Sequence, residues 1–200
     1  GLLANTTGAS NTAVGNRSLT ANTTASYNTA TGYDTLQANT TGASNTAVGY
    51  NVMAANTTGD RNIAIGYGAL DASDTENDNL AIGYNAMTTN GAGAEKNVAI
   101  GNYSMDAAIT GDGNVGVGYN TLTANTSGWY NTAIGVESLA LNTTGTKNTA
   151  LGANTLEVNV SGDENVAVGR NALALNTTAD NNTAVGYSAL AANTTGAQNT

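Results

Sequence analysis

The sequence predicts an all-β chain, a parallel β-solenoid or β-roll of about eleven coils with two short strands in each. Three observations predict it. One 17-residue phrase anchored on Asn-x-Ala-x-Gly fills the chain, starting at Asn11, Asn28, Asn45, Asn62, Asn79, Asn97, Asn114, Asn131, Asn148, Asn165 and Asn182. Self-similarity at a fixed short period marks units that pack only on their neighbours. Apolar residues within the phrase recur at intervals of two, and its obligatory Gly, Asn and Thr are poor helix formers. The spacing is 17 throughout except from Asn79 to Asn97, where it is 18. Residues 1–200 therefore read as a single repeat array without an internal domain boundary.

Counting from the Asn, the consensus is Asn-Thr/Val-Ala-Val/Ile-Gly-Tyr-Asn-Ala/Ser/Thr-Leu-x-Ala-Asn-Thr-Thr-Gly-x-x. Position 1 is always Asn, position 5 always Gly and position 9 always Leu or Met. Positions 1–5 alternate, with mostly β-branched residues at 2 and 4, and read as the first strand. Positions 8–13 alternate as well, with Leu at 9, mostly Ala, Leu or Val at 11 and mostly Thr at 13 on one face, and read as the second strand. Gly-Tyr-Asn and Thr-Gly-x-x are turn chemistry, since Gly and Asn tolerate positive φ. Two strands and two turns close one flat coil. At about 4.8 Å per coil the array is a rod of roughly 50 Å.

Stacking places like residues over like. The Asn at position 1 forms one column. The Asn at position 12 (Asn5, Asn22, Asn39, Asn56, Asn90, Asn125, Asn142, Asn159, Asn176, Asn193) forms another. Stacked amides hydrogen-bond along such an axis. The core expected in each coil is one Val or Ile, one Leu or Met and a few Ala and Thr, and two large apolar side chains are a thin core for seventeen ordered residues. The small Ala at position 3, expected opposite positions 2 and 4, suggests a second covered face. Burial against sister chains, most simply in a homotrimer, follows as an expectation.

Composition excludes several functions. The chain has no Cys, His, Pro or Phe and a single Trp, Trp129. Ser-His-Asp, Cys-His and His-metal sites cannot be built, and no constellation of unlike residues suggests an enzyme or a cofactor. The net charge is −9 with only five basic residues, Arg17, Arg61, Lys96, Lys147 and Arg170, spread singly. Nucleic acid requires a basic footprint that is missing here, and the longest apolar runs are too short to enter a membrane.

Four weaker signals remain. Asp71, Asp74, Glu76 and Asp78 gather four carboxylates in eight residues, a Ca²⁺-chelating chemistry without the Gly and terminal Glu of an EF-hand loop; a solvated turn is the favoured reading. Gly111-Asp112-Gly113-Asn114-Val115-Gly116 matches G-x-G-x-x-G, but no helix follows to hold a pyrophosphate. Asn5, Asn22, Asn39, Asn56, Asn125, Asn142, Asn159, Asn176 and Asn193 are glycosylation sequons, which the Asn column followed by Thr explains without sugar. Tyr33, Tyr50, Tyr67, Tyr84, Tyr119 and Tyr187 at position 6 line one edge, as a packing row or as a stacking surface for sugar rings. The Thr columns raise ice binding as a minority reading.

Asn97-Val98-Ala99-Ile100-Gly101, Asn165-Val166-Ala167-Val168-Gly169 and Asn62-Ile63-Ala64-Ile65-Gly66 resemble the S-V-A-I-G repeats of trimeric autotransporter adhesin (YadA-like) heads. The longer phrase from Asn182 to Gly196 is similar to 17-residue repeats of bacterial and phage tail-fibre proteins. The resemblance implies a parallel β-roll, three chains around one axis, exposed outside the cell or on a virion. Adhesin heads repeat at a shorter period, and no functional residue transfers, because those repeats are scaffold. The resulting expectation is a structural or adhesive segment of a longer extracellular fibre, acting as rigid spacer or binding shaft, with its targeting and attachment signals elsewhere. The alternatives are a self-assembling extracellular filament and a solenoid that binds ice, a glycan or another cell-surface ligand.

Overall fold

The computed structural model describes residues 1–89 and 93–200. It is a parallel β-solenoid. The strands are β1 (Thr12–Val14), β2 (Thr29–Tyr33), β3 (Thr46–Tyr50), β4 (Ile63–Tyr67), β5 (Leu80–Ile82), β6 (Val98–Ile100), β7 (Val115–Val117), β8 (Thr132–Ile134), β9 (Thr149–Leu151), β10 (Val166–Val168) and β11 (Thr183–Val185). They form one sheet in sequence order, each parallel to the next. The register is strict: Ala47 pairs with Ala64 and Gly49 with Gly66. It survives the 18-residue interval, where Leu80 still pairs with Val98.

Two expectations about the coil are corrected. The first is its strand count: each coil carries one strand, at positions 2–4 or 2–6, and among the described residues positions 8–13 form none. The reason is backbone conformation. The position-9 residue, Leu19 in the first repeat and Leu190 in the last, sits at φ of 46–53° throughout, and position 7 is also left-handed, as at Arg17, Asn51 and Glu137. Two left-handed residues in three turn the chain continuously, so the period-2 pattern there belongs to a curved segment.

The second is which residues face inward. Position 3 points into the coil: Ala30, Ala47, Ala64, Ala81, Ala99, Ala133, Ala150 and Ala167 are fully buried. Positions 2 and 4 point out, with Ile63 42% and Ile134 43% exposed. Position 11 is also outward, since Leu141 and Leu175 are half exposed, and the position-13 Thr lies at the surface. Within this flat coil the fully buried Leu of position 9 packs against the position-3 Ala of the opposite wall. A Val or Ile in place of that Ala would overfill the space.

The interior is completed by Asn at 1, the residue at 8, Asn at 12 and the residue at 15. Position 5 must be Gly. Its φ is 121–143°, and a Cβ on Gly32 would stand 1.7 Å from the Gly49 carbonyl oxygen of the next coil.

Candidate functional site

The asparagine columns are the internal frame. At position 1 each side-chain oxygen accepts the backbone N–H of the next Asn in the column, for example Asn45 N–H to Asn28 Oδ1 at 2.9 Å. The same pattern runs from Asn11 through Asn62, Asn79, Asn97, Asn114, Asn131, Asn148, Asn165 and Asn182 to Asn199. From Asn11 to Asn165 each amide nitrogen donates within its own coil to the carbonyl of position 15, as Asn28 Nδ2 does to Gly42 O at 2.9 Å. One planar group thus closes its coil and ties it to the next. Asp has no donor for the closing bond, and Ser is too short to make both.

The position-12 column is a direct amide ladder. Asn39 Nδ2 donates to Asn22 Oδ1 at 3.1 Å and Asn56 Nδ2 to Asn39 Oδ1 at 2.8 Å, while Asn39 Nδ2 also reaches Gly42 O at 2.9 Å. The ladder runs from Asn5 to Asn56 and again from Asn125 to Asn193. Between them Ser73 and Ile109 stand in its place; Asn90, expected in this column, lies outside the described residues. The nine sequon asparagines are these ladder members. From Asn22 to Asn176 they are fully buried, so a sugar on any of those amide nitrogens would displace core hydrogen bonds.

The structure does not bring the four clustered carboxylates together. Asp78 pairs with Arg61 of the preceding coil at 2.6 Å, and Asp74 accepts from the Thr57 hydroxyl. Asp71 accepts from Asn51 and the Ala54 backbone, while burial raises its carboxyl above the ordinary range. Glu76 turns inward. Its Oε2 accepts from Ser73 Oγ at 3.0 Å and from the N–H groups of Asp74 and Thr75, and its Oε1 from Gly93 N–H. Burial opposes ionisation of Glu76, but these backbone donors outweigh it and hold the carboxyl below its usual value. Among the described residues no group of three or more acids is placed to hold a metal. Gly111–Gly116 forms no phosphate loop; it runs from a turn directly into β7.

Tyr33, Tyr50, Tyr67 and Tyr84 form a stacked column, with ring centroids 5.1–5.2 Å apart and planes within 12°. The row continues edge-on through Tyr103, from position 7, to Tyr119. Within the stack each ring face is covered by the next ring, so the column offers edges and not a platform for sugars.

The surface that the sequence reading missed is the outer face of the sheet. Positions 2 and 4 supply 22 outward side chains, all Thr, Val, Ile or Leu, without a single charge. The position-6 Tyr column borders it in β2, β3 and β4. The 14 acids and the paired bases all lie on other faces. That absence of charge was the available signal; assigning the β-branched residues to the interior hid it. No family model, no curated protein and no solved structure matches the chain.

Proposed function

We propose that the chain is a rigid structural segment of an extracellular fibre, in which identical chains associate in parallel through the outer face of the sheet, most simply as a homotrimer. The observation that carries this reading is the uncharged, mostly β-branched and outward-facing two-column surface of a chain whose net charge is −9. Contiguous exposed apolar surface on this scale marks an association site. Three such faces turned toward one axis bury the apolar columns and leave the surface carboxylates in water. The likeness of the Asn-Val-Ala-Ile-Gly phrases to trimeric adhesin and tail-fibre repeats agrees with it. The coils supply length and stiffness, and the variable residues at positions 10, 16 and 17 decorate the outside.

Sedimentation velocity tests the reading. The wild-type chain is expected to sediment as a trimer of the 19.8 kDa subunit. Ile65→Lys with Ile134→Lys, two outward positions, is expected to give a folded monomer with unchanged far-UV circular dichroism. A wild-type chain that stays monomeric would remove the proposal.

A further inference from the structure

The repeat slips out of register within the coil 97–113, and a cleft lies where that coil meets the coil 114–130. In regular coils the backbone N–H of position 13 meets the carbonyl of position 13 one coil on, 17 residues away, as Thr126 meets Thr143. Thr110 stands at position 14 by spacing, yet its hydroxyl donates to Thr126 O at 3.1 Å, the bond that the position-13 hydroxyl makes in regular coils, as Thr126 Oγ1 does to Thr143 O at 3.0 Å. Thr110 therefore does the work of position 13, Ile109 fills the buried asparagine place, and the residue that normally projects at position 14 is missing from this coil. The vacated space is a surface cleft of about 290 Å³ lined by Thr110, Gly111, Asp112, Ser127, Trp129 and Tyr130.

Its aromatic wall is unique in the chain. Trp129, the only Trp, occupies position 16, where other coils mostly carry Asp, Ser, Asn or Ala. Tyr130 packs edge-on against it, with centroids 5.0 Å apart. Gly113 lets the Tyr130 ring lie flat over the preceding coil, since a Cβ there would come within 2.5 Å of it. Asp112 uses Oδ1 to accept the Glu95 N–H at 2.8 Å, which leaves Oδ2 for a ligand. Ser127 Oγ has no partner among the described residues.

We infer that this cleft is a carbohydrate site for a neutral pyranose. An indole and a phenol beside a carboxylate and two hydroxyls match the two surfaces of a sugar ring: weakly positive C–H groups against the negative π face, and hydroxyls against the polar rim. Anions are disfavoured by Asp112 and by the net charge of −9. A quaternary ammonium would suit an aromatic wall but carries no donor or acceptor for the two hydroxyls of the rim; Lys147 Nζ, 5.1 Å over one face of the Trp129 ring, leaves a sugar the other face. The cleft lies on the turn column of positions 14–17, away from the outer face of the sheet, so it remains open in the assembled fibre and does not depend on the oligomer.

The single Trp is a built-in reporter. Glucose, galactose, mannose and N-acetylglucosamine are titrated in turn while Trp129 fluorescence and saturation-transfer NMR are followed, with tetramethylammonium chloride in parallel. At least one sugar is expected to give a saturable fluorescence change and saturation transfer in the millimolar range. Trp129→Ala and Tyr130→Ser are each expected to weaken that transfer at least tenfold. Both variants should fold, because Ala9 and Ala43 hold position 16 and Ser10 and Ser44 hold position 17 elsewhere in the array. No response to any of the four sugars, equal transfer in the variants, or a response to tetramethylammonium alone would overturn the inference.

Discussion

Asn131 shows what one residue does in this molecule. Its Nδ2 donates to Gly145 O at 2.8 Å and Asn114 Oδ1 at 3.2 Å, and its Oδ1 accepts from Asn148 N–H at 3.0 Å. Asn131→Asp keeps the shape and the acceptor but turns a donor into an anion facing a buried carbonyl. The expected loss is at least about 3 kcal/mol, since an unmatched buried charge costs more than a neutral orphan. The introduced carboxyl is held above its ordinary pKa, so the penalty applies at neutral pH and eases as the pH falls and the protonated acid donates again. Urea unfolding of the variant at pH 7 and pH 4 checks both the size and the sign. Conformation matters as much as bonding. Ser44 is exposed at φ 60°, where Ser44→Val is expected to cost about 1–2 kcal/mol relative to Ser44→Gly. Equal melting temperatures for those two variants would mean that this turn is not left-handed.

Elements differ in how well they tolerate the loss of a ladder member. In the coil 62–78 Ser73 replaces the position-12 Asn and Glu76 replaces the position-15 Gly, and the Glu76 side chain fills the gap. The repair is incomplete, because Asn56 Oδ1 is buried without a partner. Restoring the consensus with Ser73→Asn and Glu76→Gly together is expected to stabilise the chain by about 1–2 kcal/mol, the worth of satisfying one buried acceptor. Either change alone is expected to destabilise, by crowding or by vacating the same space; additive effects in a double-mutant cycle would contradict this. Glu76 also carries a pH signature. Its carboxyl lies below its usual value when folded, so it contributes stability above the unfolded pKa of about 4.3 that is lost as pH falls through the folded value. The double variant should lack that acid-side loss in a thermal melt series.

The sequence carried the repeat, both asparagine columns, the position-5 Gly and the parallel stacking, because each is a fixed residue at a fixed spacing. It did not carry the facing of the strand. Both sides of Asn-Thr-Ala-Val-Gly are apolar enough to be buried, and only the thinness of the coil selects Ala over Val. Nor did it show that Leu at position 9 is left-handed, a conformation that a branched apolar residue rarely adopts alone. The register slip at Thr110 was hidden because the spacing from Asn97 to Asn114 is an unaltered 17.

At the scale of the whole molecule, ten in-register steps from β1 to β11 give a rod of about 48 Å. One long side is apolar, and the acids lie on the others. The inter-coil ion pair Lys147–Glu164 is about half exposed on both sides and contributes little stability. Length and stiffness come from the internal ladders, and any partnership of identical chains from the uncharged face. The chain has no Cys, which makes spin labelling of single introduced cysteines the most direct test. Val14→Cys near one end, Ile65→Cys near the middle and Val185→Cys at the other end, labelled one at a time, probe the outer face by dipolar spectroscopy. Parallel, in-register association predicts short label-to-label distances, below about 20 Å, and alike at all three sites, because equivalent residues meet around one axis. No dipolar signal at any site, or distances that are short centrally and long at both ends as in an antiparallel pair, would contradict the account.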